Sequence, residues 1–231
     1  MSQSSGSKPR PDGRALDVLR PVEMTIGFQR YAEGSVLYRA GNTVVLCTAS
    51  VDPKVPPWME GKGKGWITAE YQMHPRASRE KRENRDGRGK APSGRTQEIQ
   101  RLVGRALRAA VDLQKLGERQ IVIDCDVLEA DGGTRTASIT GGFVALAVAL
   151  AKLKAEAKLT ERVIREPVAA TSVGFLDDAL ALDGPFREDE ASDRERDDGT
   201  DEGNELPRPL VAPDSGRSHP MRSLPSRLPT S

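Results

Sequence analysis

Several residue types are scarce in this chain, and each scarcity excludes something. Cysteine occurs 2 times in 231 residues, as Cys47 and Cys125. Both stand in alternating apolar runs, where a buried free thiol is the default. Two such residues make no disulfide framework, and no spacing fits a metal motif. The 2 histidines, His74 and His219, are isolated, with no triad around either, so structural or surface roles are expected. Aromatics amount to 4%, too few for base stacking to be the obvious mode of binding. No Walker-type Gly-Lys-Ser/Thr element occurs, which argues against a P-loop triphosphatase. Met1-Ser2-Gln3-Ser4-Ser5-Gly6 has no apolar stretch behind a basic one, and no window is expected to approach the length of a membrane span. A cytoplasmic location is the default expectation.

Charge is plentiful, at 30% of residues against 36% hydrophobic, and nearly balanced, with 35 basic and 34 acidic side chains. The balance hides a split. From Gly184 onward there are 11 acidic and 7 basic side chains, leaving 28 basic against 23 acidic before it. A mildly basic body suits a polyanionic partner. The last 48 residues also hold 7 of the 16 prolines and no apolar period. Residues 184–231 therefore read as an acidic, proline-rich, disordered tail, and residues 1–9 as a disordered arm.

Between them, residues 35–39 and 43–51 are strand-like and separated by Ala40-Gly41-Asn42, a hairpin signal. Residues 65–71 read as a further strand. Residues 76–95 are basic and glycine-containing and read as a long loop, either a solvated charged segment or, next to a helix with its own arginines, a nucleic-acid contact through Arg76, Arg79, Arg82, Arg85 and Arg88. Apolar residues at helical spacing make residues 93–116 the clearest helix, closed by Gly117. Residues 120–128 alternate, with Ile121, Ile123, Cys125 and Val127 on one face and Asp124 and Asp126 on the other. Residues 139–153 are aliphatic almost all round and read as a buried helix. Residues 168–176 and 179–183 form a last strand pair around Asp177-Asp178. The simplest assembly is an α+β domain with one sheet and helices packed on it.

The stretch richest in chemistry is Asp131-Gly132-Gly133-Thr134-Arg135-Thr136-Ala137-Ser138, which joins a strand to a helix. Glycines permit a tight turn, amides at a helix start attract anions, and a guanidinium grips phosphate in bidentate fashion. An ordinary turn with a solvated arginine is the competing reading. Ser93-Gly94-Arg95-Thr96-Gln97-Glu98 repeats the theme at the other helix start, next to the basic loop. Two arginines at two helix starts can hold one phosphate if the fold brings them together, which periodicity does not show. Asp124 and Asp126 are open between a metal site and a solvated or ion-paired edge.

These strings, with Arg10-Pro11-Asp12-Gly13-Arg14, Leu19-Arg20-Pro21-Val22, Glu33-Gly34-Ser35-Val36-Leu37 and Gly65-Trp66-Ile67-Thr68-Ala69-Glu70-Tyr71, carry a resemblance. Over residues 10–183 the chain resembles the ribonuclease PH family, phosphorolytic 3′→5′ exoribonucleases related to polynucleotide phosphorylase and exosome ring subunits. The resemblance implies a βαβ-type domain and a homo-oligomeric ring, a hexamer built as a trimer of dimers. It implies precursor transfer RNA as substrate, with ribosomal RNA a further one, inorganic phosphate as co-substrate and nucleoside diphosphates as products. It assigns phosphate binding to Arg95, Gly133, Thr134 and Arg135, and places the basic loop near the RNA path. It assigns catalysis to Asp189 and the position of Glu195, and a divalent cation, Mg, to Asp189.

The family pattern breaks at the last of these. Glu188-Asp189 fits, but the second aspartate of the family falls on Glu195, inside the charged string Arg194-Glu195-Arg196-Asp197-Asp198, which cannot be a core strand. A shift of reading frame near residues 184–194 is the expected cause. The expected consequences are apolar surface exposed on residues 139–153, weaker ring assembly and impaired phosphorolysis. The competing functional class is a non-catalytic RNA-binding ring subunit.

Overall fold

The computed structural model describes Arg10, residues 12–79, Arg82, residues 91–176 and residues 179–184. The arm at residues 1–9, the hairpin tip Asp177-Asp178 and the tail from residue 185 onward, with His219, lie outside the described residues.

Five strands form the main sheet: β1 (Val22–Ile26), β2 (Gly34–Ala40), β3 (Thr43–Asp52), β4 (Trp66–Met73) and β5 (Gln120–Glu129), in the order β1-β2-β3-β5-β4. β4 runs parallel to β5, and the other neighbours are antiparallel. A parallel pair needs a crossover, which α1 (Gly94–Ala109) and α2 (Leu113–Leu116) supply. α3 (Thr134–Ala155) follows β5 and lies across β2, β3 and β5, while α1 packs on β4 and against α3. β6 (Val173–Leu176) and β7 (Ala179–Leu182) form a separate hairpin.

Pattern explains most of this. The hairpin between β2 and β3 turns at Gly41-Asn42, with Gly41 at φ +55°. On β5, Ile121, Ile123, Cys125 and Val127 are buried, and Asp124 and Asp126 take the other face. On α1, Ile99, Val103 and Leu107 recur every four residues and are buried. α3 approaches the sheet closely at Gly141, where a Cβ would lie 2.8 Å from Cys47 Sγ. Cys47 and Cys125 are register partners, both free and buried as the sequence suggests, with their sulfurs 3.9 Å apart.

Five expectations are corrected. The helix expected over residues 93–116 is two helices, because the backbone between them pairs elsewhere. Val111 bridges to Ile164, Asp112 N–H donates to Val163 O (2.8 Å), and Arg165 N–H donates to Ala110 O (2.8 Å). Asp112 then caps α2, accepting from Gln114 N and Lys115 N. Among the described residues there are two sheets, not one. β1 has no counterpart in the sequence reading, because all five of its residues are exposed and no face alternates in burial. α3 is 22 residues, long and apolar enough to cross a membrane, contrary to the expectation that no window approaches that length. It is a core helix: Ile139, Leu146, Leu150 and Leu153 are buried, so the expected exposure of residues 139–153 does not occur. The large exposed apolar side chains among the described residues include Val22, Met24 and Ile26 of β1 and Val173, Phe175 and Leu180 of the last hairpin.

Candidate active site

Strand β5 delivers the chain to a turn in which Gly132 and Gly133 take φ +78° and +68°. Gly133 is the N-cap of α3, whose first turn has neither a side-chain cap nor an acidic residue. The amides at this start carry the positive end of a long helix. The turn itself is well held. Thr43 Oγ1 donates to Gly132 O (2.7 Å) and accepts from Asp131 N (3.0 Å), and Asn42 Nδ2 donates to Asp131 Oδ2 (3.0 Å). Arg20 Nη1 adds a bond to Asp131 O (2.6 Å). The hairpin at the start of β3 thus reaches across the sheet to fix the start of α3.

The start of α1 lies beside β4. Ser93 Oγ accepts from Thr96 N (3.1 Å), and the first turn again contains no acidic residue. Arg95 and Arg135 are each the second residue of their helix, and both are exposed. The two helix starts flank a residue to which the sequence reading gave no role, Tyr71 of β4, which shares a cleft with Thr96. Its hydroxyl is 2.9 Å from Thr134 Oγ1. Burial pushes the Tyr71 pKa up, while Thr134 and the positive charges of Arg95 and Arg135 act against that rise. Both guanidinium groups are therefore within electrostatic reach of one hydroxyl. Among the described residues, neither Arg95 nor Arg135 forms an ion pair or hydrogen bond. Cations at two helix starts flanking one hydroxyl pair are chemically suited to a multiply charged anion. Tyr71 stands inside a quoted string, but only the pairing of β4 with β5 (Tyr71 opposite Cys125) could have brought it to Thr134.

Beside this point is a cleft of about 200 Å³ whose lining includes Glu70, Thr96, Gln100, Asp124 and Asp126. Gln100 Nε2 donates to Glu70 Oε2. Burial, then the charge of Asp124, raises the Glu70 pKa. Burial, then Asp126, raises that of Asp124, against a hydrogen bond from Thr48. Among the described residues no three His, Cys, Asp or Glu side chains gather to hold a metal ion. Asp124 and Asp126 line this cleft.

The basic loop leaves the end of β4 next to the glycine turn. His74 N–H donates to Val127 O (2.8 Å), and Ala130 N–H donates to Ala77 O (3.0 Å), one residue before Asp131. Arg76, Arg79 and Arg82 are exposed at its start. Arg85, Arg88, Asp189 and Glu195 lie outside the described residues. Of the residues singled out in the sequence, the structure brings together Arg95, Gly133, Thr134 and Arg135 and starts the basic loop beside them.

Comparison with known proteins gives the family and the fold. Residues 18–152 match the family model for domain 1 of the 3′ exoribonuclease family, RNase PH. Ribonuclease PH of Rhodopirellula baltica is 55% identical over 185 residues, covering 78% of this chain and 74% of the relative. Ribonuclease PH of Corynebacterium kroppenstedtii is 56% identical over 180 residues, covering 78% of this chain and 70% of the relative. Among solved structures, rice (Oryza sativa) Rrp46 superposes with a TM-score of 0.62 at 20% identity, over 78% of this chain and 76% of that one. The Archaeoglobus fulgidus exosome with RNA bound to the active site superposes with a TM-score of 0.59 at 25% identity, over 78% and 72%. With the family model spanning more than half of its residues and relatives above half identity, the chain belongs to the 3′ exoribonuclease family of ribonuclease PH.

Proposed function

We propose that the chain is a phosphorolytic 3′→5′ exoribonuclease that trims transfer-RNA precursors with inorganic phosphate. The observation that carries the reading is the approach of Arg95 and Arg135, from two helix starts, to the Tyr71–Thr134 hydroxyl pair. Family membership supports phosphate as the co-substrate.

The chemistry brings one anion against another. An oxygen of inorganic phosphate attacks the phosphorus of the last 3′ linkage, the bond from phosphorus to the departing 3′ oxygen breaks, and a nucleoside diphosphate leaves. Charge neutralisation and alignment supply most of the rate. Arg95 and Arg135 neutralise the attacking phosphate, and the amides at the start of α3 orient it. The exposed Arg76, Arg79 and Arg82 are placed to draw the RNA backbone toward the site. The departing oxygen takes up a proton, a role we assign to the carboxyl of Asp189. The resemblance also implies Mg, which Asp189 would hold and which would supply charge neutralisation at the departing oxygen. An oligomeric ring follows from the same family reading, with the hexamer as the expected form.

One sequence observation favours a second reading, an RNA-binding ring subunit without catalysis. Glu195 replaces the family's second aspartate in a string that has lost its apolar neighbours. One assay separates the two. The protein is incubated with RNA bearing a 3′ overhang, with and without phosphate, and products are resolved. Release of nucleoside diphosphates only with phosphate, lost in Arg95→Ala, supports the enzyme. RNA binding with no release supports the subunit and contradicts the proposal.

A further inference from the structure

The carboxylate of Asp183, just past β7, lies directly beneath the glycine turn. Its Oδ2 accepts from Arg20 N (2.8 Å) and Arg20 Nε (3.0 Å), and its Oδ1 accepts from Arg20 Nη2 (2.6 Å). Arg20 is 6% exposed and Asp183 7%. The rest of the guanidinium is turned the other way. Nη1 donates to Asp131 O (2.6 Å), and Nη2 reaches Gly132 O (3.4 Å). Arg10 and Arg14 tie down the same strand end. Arg10 Nη1 donates to Leu182 O (2.9 Å), and Arg14 Nη2 donates to Asp183 O (2.9 Å).

A buried ion pair is a weak device for stability, since apolar side chains of the same volume do as well. What a forked guanidinium does and an apolar side chain cannot is fix several acceptors at defined angles. Here those acceptors are a carboxylate and the two carbonyls that precede Gly133. The contact with the turn is close: a Cβ on Gly133 would stand 3.0 Å from Arg20 Nη2 and 3.7 Å from Asp183 Oδ1. Asp183 itself takes φ +53°, a left-handed conformation that is uncommon outside glycine, so its backbone is held to present this carboxylate. Burial pushes the Asp183 carboxyl up, but the bonds and charge of Arg20, with Arg14, bring it below its ordinary value.

We propose that Arg20 and Asp183 are positioning residues for phosphate: the carboxylate locks the guanidinium, and the guanidinium sets the Asp131 and Gly132 carbonyls, so that Thr134, Arg135 and the amides of α3 meet the anion in register. The inference rests on the phosphate reading of this site. It couples the hairpin at residues 173–182 to the site without either strand touching the phosphate.

The test uses the full chain and two probes. Inorganic phosphate is titrated by calorimetry, and RNA with a 3′ overhang is titrated by anisotropy in phosphate-free buffer. The variants are Arg20→Lys, Asp183→Asn and, as a reference, Arg135→Ala. Arg20→Lys keeps a cation on Asp183 but loses the fork, so it carries the test even if Asp183→Asn does not fold. The expected result is a phosphate Kd raised about tenfold in Arg20→Lys, with the RNA Kd unchanged within about twofold. A merely structural role would weaken both together, or neither, and either outcome overturns the inference. Unchanged phosphate affinity in Arg135→Ala overturns the phosphate site itself, and this inference with it.

Discussion

Helices α1 and α3 begin alike and are held differently. Each has an arginine as its second residue and no acidic residue in its first turn. α1 is capped by its own neighbour, Ser93, and the space around Gly94 is open. α3 has no side-chain cap. Its start is shaped by a left-handed glycine and held by Thr43 and Arg20, distant in sequence. One helix start is thus local and tolerant, while the other is fixed by tertiary contacts. That difference identifies the start of α3 as the part of the candidate site whose geometry matters most.

The largest expected effect is on chemistry. Arg135→Ala should lower phosphate-dependent release by about 10²–10³-fold in a discontinuous product assay, the cost of removing a preorganised electrostatic donor. A loss smaller in Arg95→Ala than in Arg135→Ala would sharpen the contrast between the two helix starts; the reverse order would break it.

The glycines give the next test. Gly133→Ala must hold φ +68° and meet Arg20 Nη2, so it should cost about 1–3 kcal/mol in denaturant unfolding and weaken phosphate binding. Gly94→Ala meets nothing and should stabilise the chain by about 0.5–1 kcal/mol. Equal effects from the two would contradict the comparison. Ser93→Ala removes the local cap and should cost about 1 kcal/mol with little change in phosphate Kd.

Two smaller effects follow from pH. The Asp183 carboxyl is held below its ordinary value, so its contribution is complete at neutral pH. It disappears as pH falls below about 3.9 toward the lowered value in the folded chain. The gap in melting temperature between the unsubstituted chain and Asp183→Asn should be present at pH 7 and close on acidification; a gap that widens would refute the assignment. Asp124 has the opposite sign. Its raised pKa opposes folding when it is ionised, and that penalty is relieved as pH falls through the raised value. Asp124→Asn should therefore raise the melting temperature at pH 7 by about 2 °C or less, because solvent screens the partly exposed group.

What the sequence reveals divides along the same line. The alternation of β5 and the apolar stripe of α1 are readable because burial follows a period. β1 is not, because no face of it is buried. The break between α1 and α2 is not, because Ala110 and Val111 continue the apolar period while their backbone pairs with residues 163–165. Within the site, glycine and arginine chemistry pointed to Arg95, Gly133, Thr134 and Arg135. The meeting of the two helix starts at Tyr71, and the hold of Arg20 and Asp183 on the turn, exist only once β4 lies beside β5 and the last hairpin lies beneath the turn.

The central claim is that phosphate gripped at these helix starts becomes part of the product. The chain is given isotopically labelled inorganic phosphate and an RNA with a 3′ overhang, and the position of the label is followed. The account predicts label in the β-phosphate of the released nucleoside diphosphate, abolished by Arg135→Ala. RNA shortened to unlabelled monophosphates, or bound and left intact, would contradict it.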